Sequence, residues 1–128
     1  MISLVIIFLS FLVLDLIFFW VNQTFLSKTL VSVQGFKPNV RYVSAFCCYV
    51  ALTFLMYYFI ILPKRSLTDA FLLGIGVYTV YETTNYALFK NWPLKMVVMD
   101  ILWGGILFFI VALLQNINLK NIKNLRWD

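Results

Sequence analysis

The chain contains no histidine, only five acidic residues among 128, and a charged fraction of just 12%. Without histidine, Ser/His/Asp and Cys/His catalysis and most zinc sites are excluded. Soluble globular proteins carry about twice that charge, so a soluble fold is disfavoured as well. Cysteine is confined to the adjacent pair Cys47 and Cys48. Helix neighbours point in different directions, so the pair is expected to be small buried thiols rather than a disulfide. Gly74-x-Gly76 lacks the strand context of a nucleotide loop and reads as a helix contact. Repeats and low-complexity segments are absent.

What is present is apolar: 63% of the residues are hydrophobic and 19% aromatic. A helix needs about 20 consecutive apolar residues to cross a bilayer core, and four stretches qualify, 2–21, 42–62, 69–89 and 96–115. A membrane β-barrel would instead show segments of alternating polarity. The chain therefore reads as one all-α domain, a four-transmembrane-helix bundle with a polar, basic tail at 116–128. No basic residue precedes the first span and no Ala-x-Ala site follows it, so it is expected to be retained rather than cleaved. The net charge of +5 lies in connections and tail, where it serves the lipid bilayer's headgroups; nucleic acid is not an expected partner.

The connections carry their own signals. In 22–41, Phe25, Leu26, Leu30 and Val33 suit a loop or an interfacial helix, ended by Gly35 and Pro38. Ser66 with Asp69 makes a capping-box-like start for the third span, and Pro93 suits a first helical turn after Asn91 or Trp92. The tail alternates Lys120, Lys123 and Arg126 with Ile117, Leu119, Ile122 and Leu125, the pattern of a short interfacial helix. The ten basic residues divide evenly between the two sides. The first span is followed but not preceded by basic residues, which favours a cytoplasmic side for the first and third connections.

Three of the five acids, Asp15, Glu82 and Asp100, fall inside the spans. A charge near a helix centre costs about 2.5 to 3.5 kcal/mol on the insertion scale, so these side chains are expected to face inward. Asp15 and Glu82 lie past the middle of their spans and Asp100 before the middle of its own. Because spans alternate in direction, all three are expected at one depth, towards the first and third connections. Tyr78, Glu82, Asn85 and Phe89 share one helix face, and Asp100, Trp103, Gly104 and Leu107 another. Asp15, Tyr81, Glu82, Thr84, Asn85, Asp100 and Trp103 make up a candidate polar pocket, with Lys90, Lys95 or Arg41 at its rim to neutralise one acid. Three carboxylates and Asn85 suit a hard divalent cation, but no spacing specific to a metal is present and no cofactor is evident.

The stretch from Tyr81 to Gly105, YETTNYALFKNWPLKMVVMDILWGG, resembles an uncharacterised family of small membrane proteins of bacteria and large DNA viruses. That family reads Tyr-Asp-x-Thr-Asn-x-Ala, Lys-Gly-Trp-Pro and Asp-x-x-Trp-Gly. Here the positions are Tyr81, Glu82, Thr84, Asn85, Ala87, Lys90, Asn91, Trp92, Pro93, Asp100, Trp103 and Gly104, with Glu82 in place of Asp and Asn91 in place of Gly. Asp15 with Phe18, where tryptophan is usual, and the Lys-Pro-Asn at 37–39 are similar too. The resemblance implies a four-helix topology and brings no activity with it.

Two classes of function stay open. One is an acidic pocket open to one face that binds or moves a cation, a proton or a small polar headgroup. The other is a structural membrane subunit that packs against copies of itself or protein partners, as in a virion membrane or capsid assembly. A lipid-modifying enzyme with Glu82 or Asp100 as general base is a weaker third reading, and no catalytic residue is assigned.

Overall fold

Helix occupies nearly every described position in a computed structural model that describes residues 2–36 and 40–124, with side chains through 120. The elements are α1 (Ile2–Val21), α2 (Gln23–Gln34), α3 (Tyr42–Met56), α4 (Leu67–Leu88) and α5 (Leu94–Asn124). Asn22 separates α1 from α2, its side-chain amide donating to the Phe18 carbonyl at 3.0 Å. Gly35 then ends α2 at φ 83°, a left-handed conformation that glycine adopts without a Cβ penalty. Its N–H returns to the Val31 carbonyl.

Without a break, α3 loosens into a π-helical turn, Tyr57–Ile61, in which the Leu62 N–H bonds back five residues to the Tyr57 carbonyl. Pro63 follows, and Ser66 Oγ caps α4 by accepting from the Asp69 N–H at 3.1 Å, the arrangement expected from sequence. The tail, expected as a short interfacial helix, is through Asn124 the continuation of α5. No glycine or proline after Gly105 interrupts the helix. Pro38, with the rest of 37–39, and Leu125 and Arg126 lie outside the described residues.

Three helices are long and apolar enough to cross a membrane, Ile2–Val21, Tyr42–Ile61 and Leu94–Lys120. At 22 residues α4 has the length. Its run Tyr81-Glu82-Thr83-Thr84-Asn85-Tyr86 makes it the most polar of the long helices.

The helices pack in the order α3, α1, α5, α4, with the π-helical turn also resting on α5. The α4/α5 pair is the closest, because a Cβ on Gly74 would land on the Gly104 carbonyl and one on Gly104 would strike the Tyr78 ring. Small residues of this kind let two backbones approach so that van der Waals packing holds them. Towards the chain termini the core is mostly apolar: Ile7, Phe11, Met56, Leu107, Phe108 and Val111 are fully buried, with Gln115 as the fully buried polar side chain among them. Phe11 meets Phe108 edge-on at 5.1 Å.

A second cluster sits at the other end. Trp92, Met96 and Val97 are buried against Phe25, Leu26, Leu30 and Val33 of α2. Asn91 Nδ2 donates to the Ser32 carbonyl at 3.0 Å, and Lys95 Nζ lies 4.9 Å above the Phe25 ring. The first connection is thus a docked helix rather than a loop. Cys47 and Cys48 are unpaired, but both are exposed rather than buried as expected. The reason is that α3 packs chiefly on α1, which leaves much of its circumference uncovered.

Candidate functional site

Asp15 belongs to the face of α1 that also carries Phe11 and Phe18, three- and four-residue steps apart and turned towards α5. Asp15 is 6% exposed. Tyr49 OH donates to Oδ2 at 2.9 Å from α3, and Trp103 Nε1 donates to Oδ1 at 2.9 Å from α5. Phe18 stacks on Trp103, with ring centroids 4.6 Å apart and planes 10° from parallel, which fixes the indole N–H on the carboxylate. Both oxygens of this buried acid are therefore satisfied, as burial demands.

Glu82 is the other buried acid, with no exposed surface at all. Trp92 Nε1 donates to its Oε1 at 2.7 Å, while Oε2 has no hydrogen-bond donor. Across the α4/α5 contact the half-buried carboxyl of Asp100 lies within hydrogen-bonding reach of Glu82 and in the field of Asp15. Tyr78, one turn before Glu82, stands in the field of both Asp15 and Asp100.

Tyr81 and Thr84 do not join this group. A helix turns about 100° per residue, so the neighbours of an inward Glu82 point elsewhere. Tyr81 is 55% exposed, with Asn85 within reach of its hydroxyl, and Thr84 spends its hydroxyl on the Val80 carbonyl at 2.6 Å. The basic rim does not reach inward either. Among the described residues the one ion pair is Arg65–Asp69, 3.7 Å apart and largely exposed.

Among the described residues no group of three His, Cys, Asp or Glu side chains comes together to hold a metal ion. Asp15 is taken up by its own two donors, which leaves Glu82 and Asp100 as a pair. Cavities of about 440 Å³, beside Tyr58, Phe59 and Arg65, and 350 Å³, beside Ile6, Ser10 and Leu114, lie away from the acids on outer grooves.

Residues 1–117 match the family described as Predicted membrane protein (DUF2177). The chain belongs to that family. The matched region takes in all of α1 to α4 and most of α5, and with them Asp15, Glu82 and Asp100. Contact with lipid follows for the outer faces of these helices, where Leu9, Val13, Leu16 and Ile17 of α1 are exposed. No curated protein and no solved structure matches the chain.

Tyr49 and Trp92 donate to the acids although neither is among the candidate pocket residues. A signal for them exists: a buried carboxylate needs donors, and tryptophan and tyrosine at the same depth supply an N–H or O–H on an apolar body.

Proposed function

We propose that the chain is a four-span membrane protein whose Glu82–Asp100 pair binds a proton at one membrane face. The observation that carries this reading is Glu82 Oε2, a fully buried oxygen without a donor, on a residue that has Asp100 as its neighbour across the α4/α5 contact. Carboxylates only accept, so two of them brought together in a buried site need a hydrogen on one of them. In this reading α4 is the fourth span. Its acid is turned onto α5 and Trp92, which relieves the cost of exposing it to lipid. The connections at 22–41 and 89–93 lie on the acidic side, facing the cytoplasm.

Binding is favoured over movement across the bilayer. Beyond Asp15 the interior is closed by Phe11, Phe108, Leu107 and Val111. The next buried polar side chain on α5 is Gln115, fifteen residues past Asp100, or about 22 Å along a helix. A proton relay needs a connected row of polar groups, and this stretch has none among its fully buried residues.

Dicyclohexylcarbodiimide, which attaches to protonated carboxyls in apolar surroundings, tests the reading. An adduct is expected on Glu82 or Asp100 in reconstituted protein and is expected to disappear in Glu82→Gln. The same liposomes are expected to show no protein-dependent proton flux. Absence of the adduct overturns the pair, and flux abolished by Glu82→Gln overturns the one-sided site.

A further inference from the structure

Trp92 lies in the turn between α4 and α5 and belongs to neither helix, so no helical backbone fixes its ring. Two contacts do. Its indole N–H donates to Glu82 Oε1 at 2.7 Å, and the ring forms with Met96 and Val97 the buried cluster on which Phe25, Leu26, Leu30 and Val33 of α2 pack. Glu82 has no exposed surface and stands six residues before the end of α4, about 9 Å along the helix from the turn. The donor that serves the buried acid is thus seated by the apolar face of a helix outside the bundle.

That helix is built to come away. Its chain bends at both ends, at Asn22 with φ −104° and ψ 17°, and at Gly35 with φ 83°. A 12-residue helix is marginal on its own, so α2 depends on its packing. Phe25, Leu26, Leu30 and Val33 are only half-buried, and two polar contacts add to them, Asn91 Nδ2 on the Ser32 carbonyl and Lys95 Nζ over the Phe25 ring. The outer face carries Gln23, Thr24, Ser27, Lys28 and Gln34, all exposed. Elements with few buried apolar contacts open locally well before the whole molecule unfolds. Once lifted, an amphipathic helix keeps its apolar face in the headgroup boundary, which lowers the cost of leaving the bundle.

We infer that α2 is a hinged lid that, through the Trp92 ring, opens and closes Glu82 to water at the face of the first and third connections. The inference rests on the Glu82–Asp100 proton site proposed above and names how that site is reached. Docked, the lid holds the indole on Oε1 and keeps water out. Lifted about Asn22 and Gly35, it frees the ring to leave its seat and lets solvent reach the carboxyl. A buried carboxyl exchanges its proton only when water reaches it, so α2 sets the rate of exchange.

A water-soluble carbodiimide with a glycine-ester nucleophile, applied to the protein in mixed micelles, reads this opening as the rate at which Glu82 is modified. In the wild type that rate is expected to be slow against that of Asp69, whose side chain is open to solvent. Leu26→Ser with Leu30→Ser is expected to raise it at least about tenfold at matched helical content, with Asp69 unchanged. A short bis-maleimide bridge between Ser32→Cys and Asn91→Cys, in a Cys47→Ala and Cys48→Ala background, pins the lid. The bridge is expected to slow Glu82 at least about tenfold relative to the same protein unbridged. Modification of wild-type Glu82 as fast as Asp69, or a rate that the bridge leaves unchanged, overturns the lid. Dicyclohexylcarbodiimide arrives through the apolar phase, so its adduct is expected alike with and without the bridge. That adduct together with a water-soluble rate indifferent to the bridge removes the lid alone. No adduct from either reagent, in the wild type and the loosened variant alike, removes the proton site and the lid with it.

Discussion

The indole N–H of Trp92 donates to Glu82 Oε1 at 2.7 Å across ten residues of chain. The same ring is the centre of the cluster on which α2 is docked. A helix on the bundle's outer end and an acid with no exposed surface are thus joined through one side chain.

Trp92→Phe keeps the ring in its apolar seat and removes the donor. Glu82 Oε1 then lacks its donor in a buried site, which costs about 1–3 kcal/mol. Unfolding in mixed micelles is expected to register that loss. The double variant Trp92→Phe with Glu82→Leu is expected to recover part of it, since no orphaned acid remains.

Gly74→Ala places a methyl group on the Gly104 carbonyl and forces α4 from α5. Overpacking of this kind costs about 1–3 kcal/mol. Gly76 has open space around it, so Gly76→Ala is expected to be neutral or to add up to about 1 kcal/mol through helix propensity. Parallel unfolding curves separate the two.

The grip of α2 can be loosened from its inner face. Leu26→Ser with Leu30→Ser removes two of its contacts with the Trp92 cluster. Trypsin cleavage after the exposed Lys28 is expected to accelerate at least about tenfold, the effect of about 1.4 kcal/mol on a local opening. Cleavage after Lys64, remote from α2, is expected to stay unchanged.

Local pattern made much of this readable in advance. Phe25, Leu26, Leu30 and Val33 recur at helical spacing, Gly35 marks the stop, and Ser66 with Asp69 marks a start, so the elements followed from nearest neighbours in sequence. The pairings of the acids did not, because Trp103 and Asp15 are 88 residues apart and which indole meets which carboxylate is set by helix order. Tyr81 and Thr84 share the depth of Glu82 and so counted as pocket residues, yet near neighbours on a helix turn their side chains apart. The π-helical turn at Tyr57–Ile61 has no signature in its uniformly apolar and aromatic residues. The exposure of Cys47 and Cys48 depended on α3 standing at the end of the row, a fact of tertiary arrangement.

Asp15 offers a separable test of how the acids are held. Tyr49→Phe and Trp103→Phe each remove one donor from the same carboxylate. Hydrogen bonds to a charged group are worth about 1.5–3 kcal/mol each, so both variants are expected to destabilise by that order. Because they share one acceptor, the double variant is expected to depart from additivity by at least about 0.5 kcal/mol. In an Asp15→Asn background the coupling is expected to shrink.

Infrared difference spectroscopy of the reconstituted protein tests the shared proton most directly, because a protonated carboxyl has a carbonyl stretch that a carboxylate lacks. The account predicts one such band in the wild type, lost in Glu82→Gln and in Asp100→Asn, where an amide donates to the remaining carboxylate and no shared proton is needed. A wild type without the band, or a band that persists in both variants, would contradict it.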